Sequence, residues 1–181
     1  MTVVLINDIC LLSFNASNDA AHATSQLRAK NGLTTRGEMN LSLSTESGLP
    51  HIVLVDDHPA VLRQTVQLLS TRFQIVAALP NGSELLALAA SKKIDLVVLD
   101  ITLPGLSGID LASRLKSAGF PGKIVFLTVH ADPDYAREAL DLGASGYVVK
   151  PRLASDLIPA LNAALEGEIF ISPCPELREV A

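Results

Sequence analysis

Asp95-Leu96-Val97-Val98-Leu99-Asp100 is a short apolar run that ends abruptly in a carboxylate. Leu96 to Leu99 are four consecutive aliphatic residues, too few for a helix and suited to a strand buried on both faces. Ile101-Thr102-Leu103-Pro104-Gly105 follows and reads as a turn, because Pro and Gly punctuate it. Asp100 therefore falls at the carboxyl end of a central strand. Open parallel α/β sheets place their ligand sites along that edge.

Working outward, strands and helices alternate. Ile52-Val53-Leu54-Val55 reads as a buried strand ending in Asp56-Asp57, and His58-Pro59 opens a helix, with Pro suited to its first position. Val61, Leu62, Thr65, Leu68 and Leu69 share one side of that helix. Residues 73–79 read as a second strand, Pro80-Asn81-Gly82 as a turn, and Ser83 as the cap of a helix with Leu85, Leu88 and Ala89 inward. Beyond the central strand, Ile109, Leu111, Ala112 and Leu115 mark a third helix, closed by Gly119. Residues 123–127 form a fourth strand ending in Thr128, and Asp132-Pro133 starts a helix with Ala136, Ala139 and Leu140 inward, closed by Gly143. Tyr147-Val148-Val149 is a fifth strand ending in Lys150-Pro151. Ser155 or Asp156 starts the last helix, with Leu157, Ile158, Leu161 and Leu165 inward and Gly167 at its end. Pro159 then falls near the first turn, and any deeper position would kink the helix. The resulting βαβαβαβαβα order implies a parallel sheet with helices on both faces. Right-handed crossovers and short connections favour the open order 2-1-3-4-5.

Composition sets the bounds. The chain has 181 residues, 49% hydrophobic and 4% aromatic, so its core is mostly Leu, Val, Ile and Ala. A net charge of −5 gives no basic excess for gripping nucleic acid. No apolar run approaches the roughly 18 residues that span a bilayer. The run from Val3 to Phe14 is broken by Asn7 and Asp8 and lacks a basic flank, unlike a signal peptide. Cys10 and Cys174 are far apart and form no disulfide framework, so a reducing cytoplasm is expected. Residues 1–49 differ from the rest: from Asn15 to Gly48 they are dense in Ser, Thr and Asn and hold no apolar period. They read as a flexible extension with at most a short helix around residues 20–30, and a start codon placed too far upstream would look the same. Residues 50–167 carry the α/β pattern, and residues 168–181 read as a C-terminal tail or truncated linker.

The polar strand ends now converge. In the order 2-1-3-4-5, strands one, three, four and five are neighbours, so Asp56, Asp57, Asp100, Thr128 and Lys150 meet on one edge. Carboxylates about 5 Å apart repel by roughly 3 kcal/mol at an effective dielectric of 20. Lys150 supplies one counter-charge, and a hard divalent cation such as Mg²⁺ would supply the rest. A carboxylate can attack phosphorus to give an aspartyl phosphate. Lys150 can hold one phosphoryl oxygen and the Thr128 hydroxyl can donate to another. Thr128 drawn toward a phosphorylated Asp100 would let Tyr147 move into the vacated space.

The set Val55-Asp56-Asp57-His58, Leu99-Asp100-Ile101-Thr102-Leu103-Pro104-Gly105, Leu127-Thr128, Gly143-Ala144-Ser145-Gly146-Tyr147 and Lys150-Pro151 resembles the receiver domain of two-component response regulators. It is most similar to the branch whose receivers precede a LuxR/NarL/FixJ-type helix-turn-helix. The resemblance covers about residues 51–167. It implies a flavodoxin-like (βα)5 fold and phosphoryl transfer to Asp100 from a histidine kinase. It implies Mg²⁺ held by the Asp57 and Asp100 side chains and the Thr102 backbone carbonyl, with Asp56 acting largely through water. It makes Thr128 and Tyr147 a switch pair and Lys150 the phosphate contact, before a cis bond at Pro151. It implies a protein that is not an enzyme beyond slow self-dephosphorylation, that controls an output domain or downstream partner, and that forms a homodimer on phosphorylation.

Two departures stand out. Val129 occupies a position where many receivers carry a smaller residue, which bears on access to the phosphoryl group. Residues 168–181 are too short for the helix-turn-helix; Ile169-Phe170-Ile171 and Ser172-Pro173 resemble the start of the linker to it. The expectation is a receiver acting alone, as a relay or interaction module, or a truncated transcription regulator, with no direct nucleic-acid or membrane binding by this chain. His58 and His130 read as polar rim residues, and Thr102 and His130 as tuners of phosphoryl lifetime. A phosphatase of the haloacid dehalogenase type also uses an Asp nucleophile on an α/β sheet. It needs a second Asp two residues further on, where this chain has Thr102.

Overall fold

The computed structural model describes residues 48–178 and residue 180. The expectations for residues 1–47, with the short helix around residues 20–30 and Cys10, lie outside the described residues.

One six-stranded parallel sheet in the order β2-β1-β3-β4-β5-β6 organises the chain. Its strands are β1 His51–Val55, β2 Gln74–Leu79, β3 Leu96–Leu99, β4 Lys123–Thr128, β5 Gly146–Val149 and β6 Phe170–Ile171. The helices are α1 Pro59–Leu69, α2 Leu85–Ser91, α3 Gly108–Ser117, α4 Pro133–Asp141 and α5 Leu153–Glu166. The expected order 2-1-3-4-5 is present, extended by β6, which pairs parallel to β5. None of the described helices is long and apolar enough to cross a membrane.

Strand alternation divides the core into two layers. Val53, Val55, Val97, Leu99, Phe126 and Tyr147 pack with residues of α2, α3 and α4. Ile52, Leu54, Leu96, Val98, Val125 and Val148 pack with residues of α1 and α5 on the opposite face. The short apolar strands are thus covered twice, which is why all four residues of β3 are buried and apolar without alternation.

Local chemistry sets most boundaries. Ser107 caps α3, its Oγ accepting from the Asp110 N–H at 3.1 Å. Asp132 caps α4 in the same way at 2.8 Å, ahead of Pro133. Gly119 and Gly167 close α3 and α5 with left-handed φ of 78° and 85°. Three expectations need correction. Ser83 does not cap α2. Its N–H donates to Asn81 Oδ1 at 3.1 Å, and that local turn takes the place of a cap. α5 starts at Leu153, earlier than expected, so Pro159 lies inside it and removes one intrahelical donor. No cis peptide occurs among the described residues, so the bond at Pro151 is trans. Lys150–Arg152 form a 3₁₀ turn that leads into α5, and Pro suits the opening of such a turn with the favoured trans bond.

Beyond α5 the chain returns to the sheet and is fixed by a buried polar lock. Ser172 Oγ accepts from the Val149 N–H at 3.2 Å and donates to Asp156 Oδ2 at 2.8 Å. Arg152 grips the same carboxylate through Nε at 2.6 Å and Nη2 at 3.1 Å. Burial pushes the Asp156 carboxyl up, but the bonds from Arg152, Ser155 and Ser172 outweigh it and hold the pKa below the ordinary 3.8. A depressed folded pKa contributes stability that is fully present above 3.8 and lost as pH falls through the lower folded value. Urea midpoints followed from neutral pH into the acid range should fall less in Asp156→Asn than in wild type. Parallel curves would show that the lock carries no pH-dependent stability.

Candidate functional site

The register brings the polar strand ends to one edge. Val55 pairs with Leu99, Leu99 with Phe126, and Thr128 with Val149, so Asp56, Asp100, Thr128 and Lys150 end adjacent strands. The Asp100 N–H donates to the Val55 carbonyl at 2.9 Å and ties the end of β3 to β1.

Lys150 Nζ lies 2.7 Å from Asp56 Oδ2 and 2.7 Å from Asp100 Oδ2. All three side chains are nearly withdrawn from solvent, at 9%, 6% and 2% exposure for Lys150, Asp56 and Asp100. Burial disfavours the ammonium, yet the bonds to Asp100 and Asp56 prevail and raise the Lys150 pKa. Burial also pushes the Asp56 carboxyl above 3.8, and the bonds from Lys150 and the His58 N–H offset this only in part. Asp57 Oδ1 is buried and makes no hydrogen bond, although His58 Nδ1 stands 2.6 Å away. One donor atom from each of Asp56, Asp57, His58 and Asp100 lies within 4.8 Å of the others.

This donor set fits a hard divalent cation. Three carboxylates face one ammonium, and an Asp57 oxygen lacks a hydrogen bond. Mg²⁺ favours one or two carboxylates together with retained water. Thr102 lies beside them, its N–H donating to Asp100 Oδ1 at 3.3 Å, so its peptide reaches the carboxylate. The Thr102 side chain takes a different partner, His130 Nε2 at 2.9 Å, and offers a hydroxyl where a phosphatase of the dehalogenase type would carry its second Asp.

Thr128 and Tyr147 are linked in a way that the sequence did not reveal. Thr128 is fully buried, and its Oγ1 accepts from the His130 N–H at 3.3 Å. Tyr147 is fully buried too, and its hydroxyl donates to the His130 carbonyl at 2.9 Å. The two faces of one residue's backbone thus join the two side chains. Burial pushes the Tyr147 phenol well above its ordinary pKa, so it stays a donor. Among the described residues Thr128 makes no hydrogen bond to Asp100. His130 is a rim residue by its ring, which packs on Tyr135 with centroids 4.7 Å apart, but a connector by its backbone. Val129 is 60% exposed at the mouth of the site.

Gly108 was also missed. A Cβ there would stand 1.9 Å from the Asp100 carbonyl oxygen, and the Gly108 N–H donates to the Ile101 carbonyl at 2.7 Å. The available signal was a glycine at the first position of a helix, a poor helix former in a place open to better ones. Gly108→Ala should force the end of β3 to move and cost about 2 kcal/mol or more in urea unfolding, in the range of overpacked cores. A cost within error of zero would show that the Asp100 backbone has room to yield.

An open parallel α/β sheet whose carboxyl edge joins an acidic cluster to a buried lysine defines a flavodoxin-like domain with a charged site at that edge. The chain belongs to the response regulator receiver domain family, whose model matches residues 52–162. It is 35% identical over 131 residues to the virulence factors transcription regulator BvgA of Bordetella pertussis, covering 71% of this chain and 62% of that protein. It is 34% identical over 123 residues to the nitrate/nitrite response regulator NarL of Escherichia coli, covering 67% and 57%. The chain thus spans about three fifths of the length of these curated relatives. Among solved structures it resembles a LuxR-family response regulator from Aurantimonas, with TM-score 0.68, 32% identity, and coverage of 74% of this chain and 98% of that one. A CheY-like receiver from Methanospirillum hungatei matches with TM-score 0.61 and 28% identity, covering 66% and 96%.

Proposed function

We propose that this receiver accepts a phosphoryl group on Asp100 from a phosphohistidine of a sensor histidine kinase. An Asp100 carboxylate oxygen forms the new P–O bond while the P–N bond breaks, and its electron pair returns to the imidazole. Lys150, already 2.7 Å from Asp100, holds an incoming phosphoryl oxygen as a point charge and orients the carboxylate. Asp57 and Asp100, with the Thr102 carbonyl, would hold Mg²⁺, and Asp56 would act through water. The ion, when bound, neutralises charge on the transferring oxygens. The observation that carries this reading is the placement of one buried ammonium between two buried carboxylates, with a third carboxylate beside them.

Transfer of the Thr128 hydroxyl from His130 to a phosphoryl oxygen would release the His130 peptide, which also holds the Tyr147 hydroxyl. That is the route from chemistry to an altered surface. The output follows the relatives: control of transcription through an output domain or a downstream protein in the cytoplasm, with a homodimer as the phosphorylated form. The chain itself acts as a phosphoryl acceptor with at most slow self-dephosphorylation, and at net charge −5 it is not the nucleic-acid contact. Residues 50–167 form the receiver unit and residues 168–181 its tail.

Incubation with acetyl phosphate, read by intact mass with Mg²⁺ or with EDTA, tests the reading. One added phosphoryl group is expected with Mg²⁺ and little or none with EDTA. Catalytic turnover of para-nitrophenyl phosphate without labelling would instead mark a phosphatase.

A further inference from the structure

In a five-stranded receiver, β5 would be the sheet edge, and Tyr147 would stand on it. In this chain Tyr147 is fully buried, and residues after α5 return to the sheet beside it. β6 pairs in register, Gly146 with Phe170 and Tyr147 with Ile171. The Ser172 N–H donates to the Tyr147 carbonyl at 2.9 Å. The buried Ser172 hydroxyl then fixes this crossing point to the Val149 N–H and the Asp156 carboxylate. Past Ser172 the chain bends over α4. Leu177, 1% exposed, sits in the same apolar cluster as Tyr147, Ala136 and Ala139. Its N–H closes a turn onto the Cys174 carbonyl at 3.1 Å.

We infer that residues 169–178 are a strap, pinned by Ser172 to Asp156 and seated by Leu177, that holds Tyr147 in its buried position and occupies the α4–β5 surface. The strap and the Tyr147 ring share one set of contacts, so displacing either weakens the hold on the other. Coupling of this kind is reciprocal. A partner that seats on α4 and β5 must first displace the strap. Equally, a pull on the chain beyond residue 172 reaches His130 and Thr128 through the Tyr147 hydroxyl. The consequence for signalling rests on the phosphoacceptor reading; the strap itself does not.

The chain has two tyrosines and no tryptophan, which allows a direct test. Fluorotyrosine labelling gives two fluorine resonances, assigned with Tyr135→Phe. A soluble paramagnetic relaxation agent should broaden Tyr135, which is exposed, and spare Tyr147 in the wild-type chain. In Leu177→Asp the Tyr147 resonance should broaden as well. Amide exchange at Ile171 and Ser172 should rise by more than about tenfold, since a buried leucine side chain is worth well over one decade in an opening equilibrium. Ser172→Ala removes the pin without placing a charge in the core, and should act in the same direction if Leu177→Asp fails to fold. A Tyr147 resonance that stays protected while the amides of Phe170, Ile171, Ser172, Cys174 and Leu177 exchange freely would overturn the inference. So would a strap that stays protected in both variants. Neither readout uses phosphorylation. Slower strap exchange on adding acetyl phosphate and Mg²⁺ is expected only if Tyr147 responds to Asp100, and its failure alone would count against the switch reading.

Discussion

Asp100→Asn should abolish phosphoryl uptake from acetyl phosphate and Mg²⁺, with no mass gain under conditions that label the wild-type chain. The carboxamide has neither the charge nor the nucleophilicity of a carboxylate, while its shape still suits the Lys150 contact. The same change should stabilise the chain in EDTA. It removes one of the crowded charges, each pair of which costs roughly 3 kcal/mol at about 5 Å and an effective dielectric of 20. The gain should be largest without Mg²⁺ and shrink when the ion is added, because the ion offsets the same repulsion in wild type. A phosphoryl group on Asp100→Asn, mapped to Asp56 or Asp57, would move the acceptor to another strand end.

Lys150→Met should have the largest effect on stability. It leaves Asp56 and Asp100, 6% and 2% exposed, without the ammonium that stands 2.7 Å from each. Removing one partner of a buried pair costs about 3–5 kcal/mol, because the remaining charge has no compensation. Urea unfolding in EDTA should show that loss with an unchanged slope. Mg²⁺ should restore part of it, since a ligand that binds only the folded state stabilises by mass action. The deficit should narrow as pH falls into the carboxyl range. Burial already holds the Asp56 carboxyl above 3.8 against the opposing pull of Lys150, so with the ammonium gone its folded pKa rises further, and the penalty is present at high pH and relieved on protonation. Equal stability of Lys150→Met and wild type in EDTA would mean that the carboxylates are protonated or solvated, and that the site lacks the charge tension assigned to it.

Which features a sequence reveals depends on the range of the contacts that make them. The strands were legible because each is a short aliphatic run with a polar residue at its end, and a strand covered on both faces needs no alternation. Helix ends at Gly119, Gly143 and Gly167 were legible because the closing conformation is local and has few alternatives; all three have positive φ. The convergence of Asp56, Asp100 and Lys150 followed from strand order alone, since parallel strands put every carboxyl end on one edge. The trans bond at Pro151 was not legible, because a dipeptide does not reveal that it opens a 3₁₀ turn into α5.

Residue order alone specifies the alternation of strands and helices, the sheet order of the first five strands, and the side chains gathered at the site. Those follow from period, punctuation and chain connectivity, which act over a few residues at a time. Long-range packing sets the rest: the His130 backbone joins Thr128 to Tyr147, Gly108 leaves room for the Asp100 carbonyl, and Ser172 and Leu177 fold back over β5. Each of these is a contact between residues whose types are ordinary in isolation. Their meaning comes from close packing across the fold, where one hydroxyl or one missing Cβ is read by atoms far away in sequence.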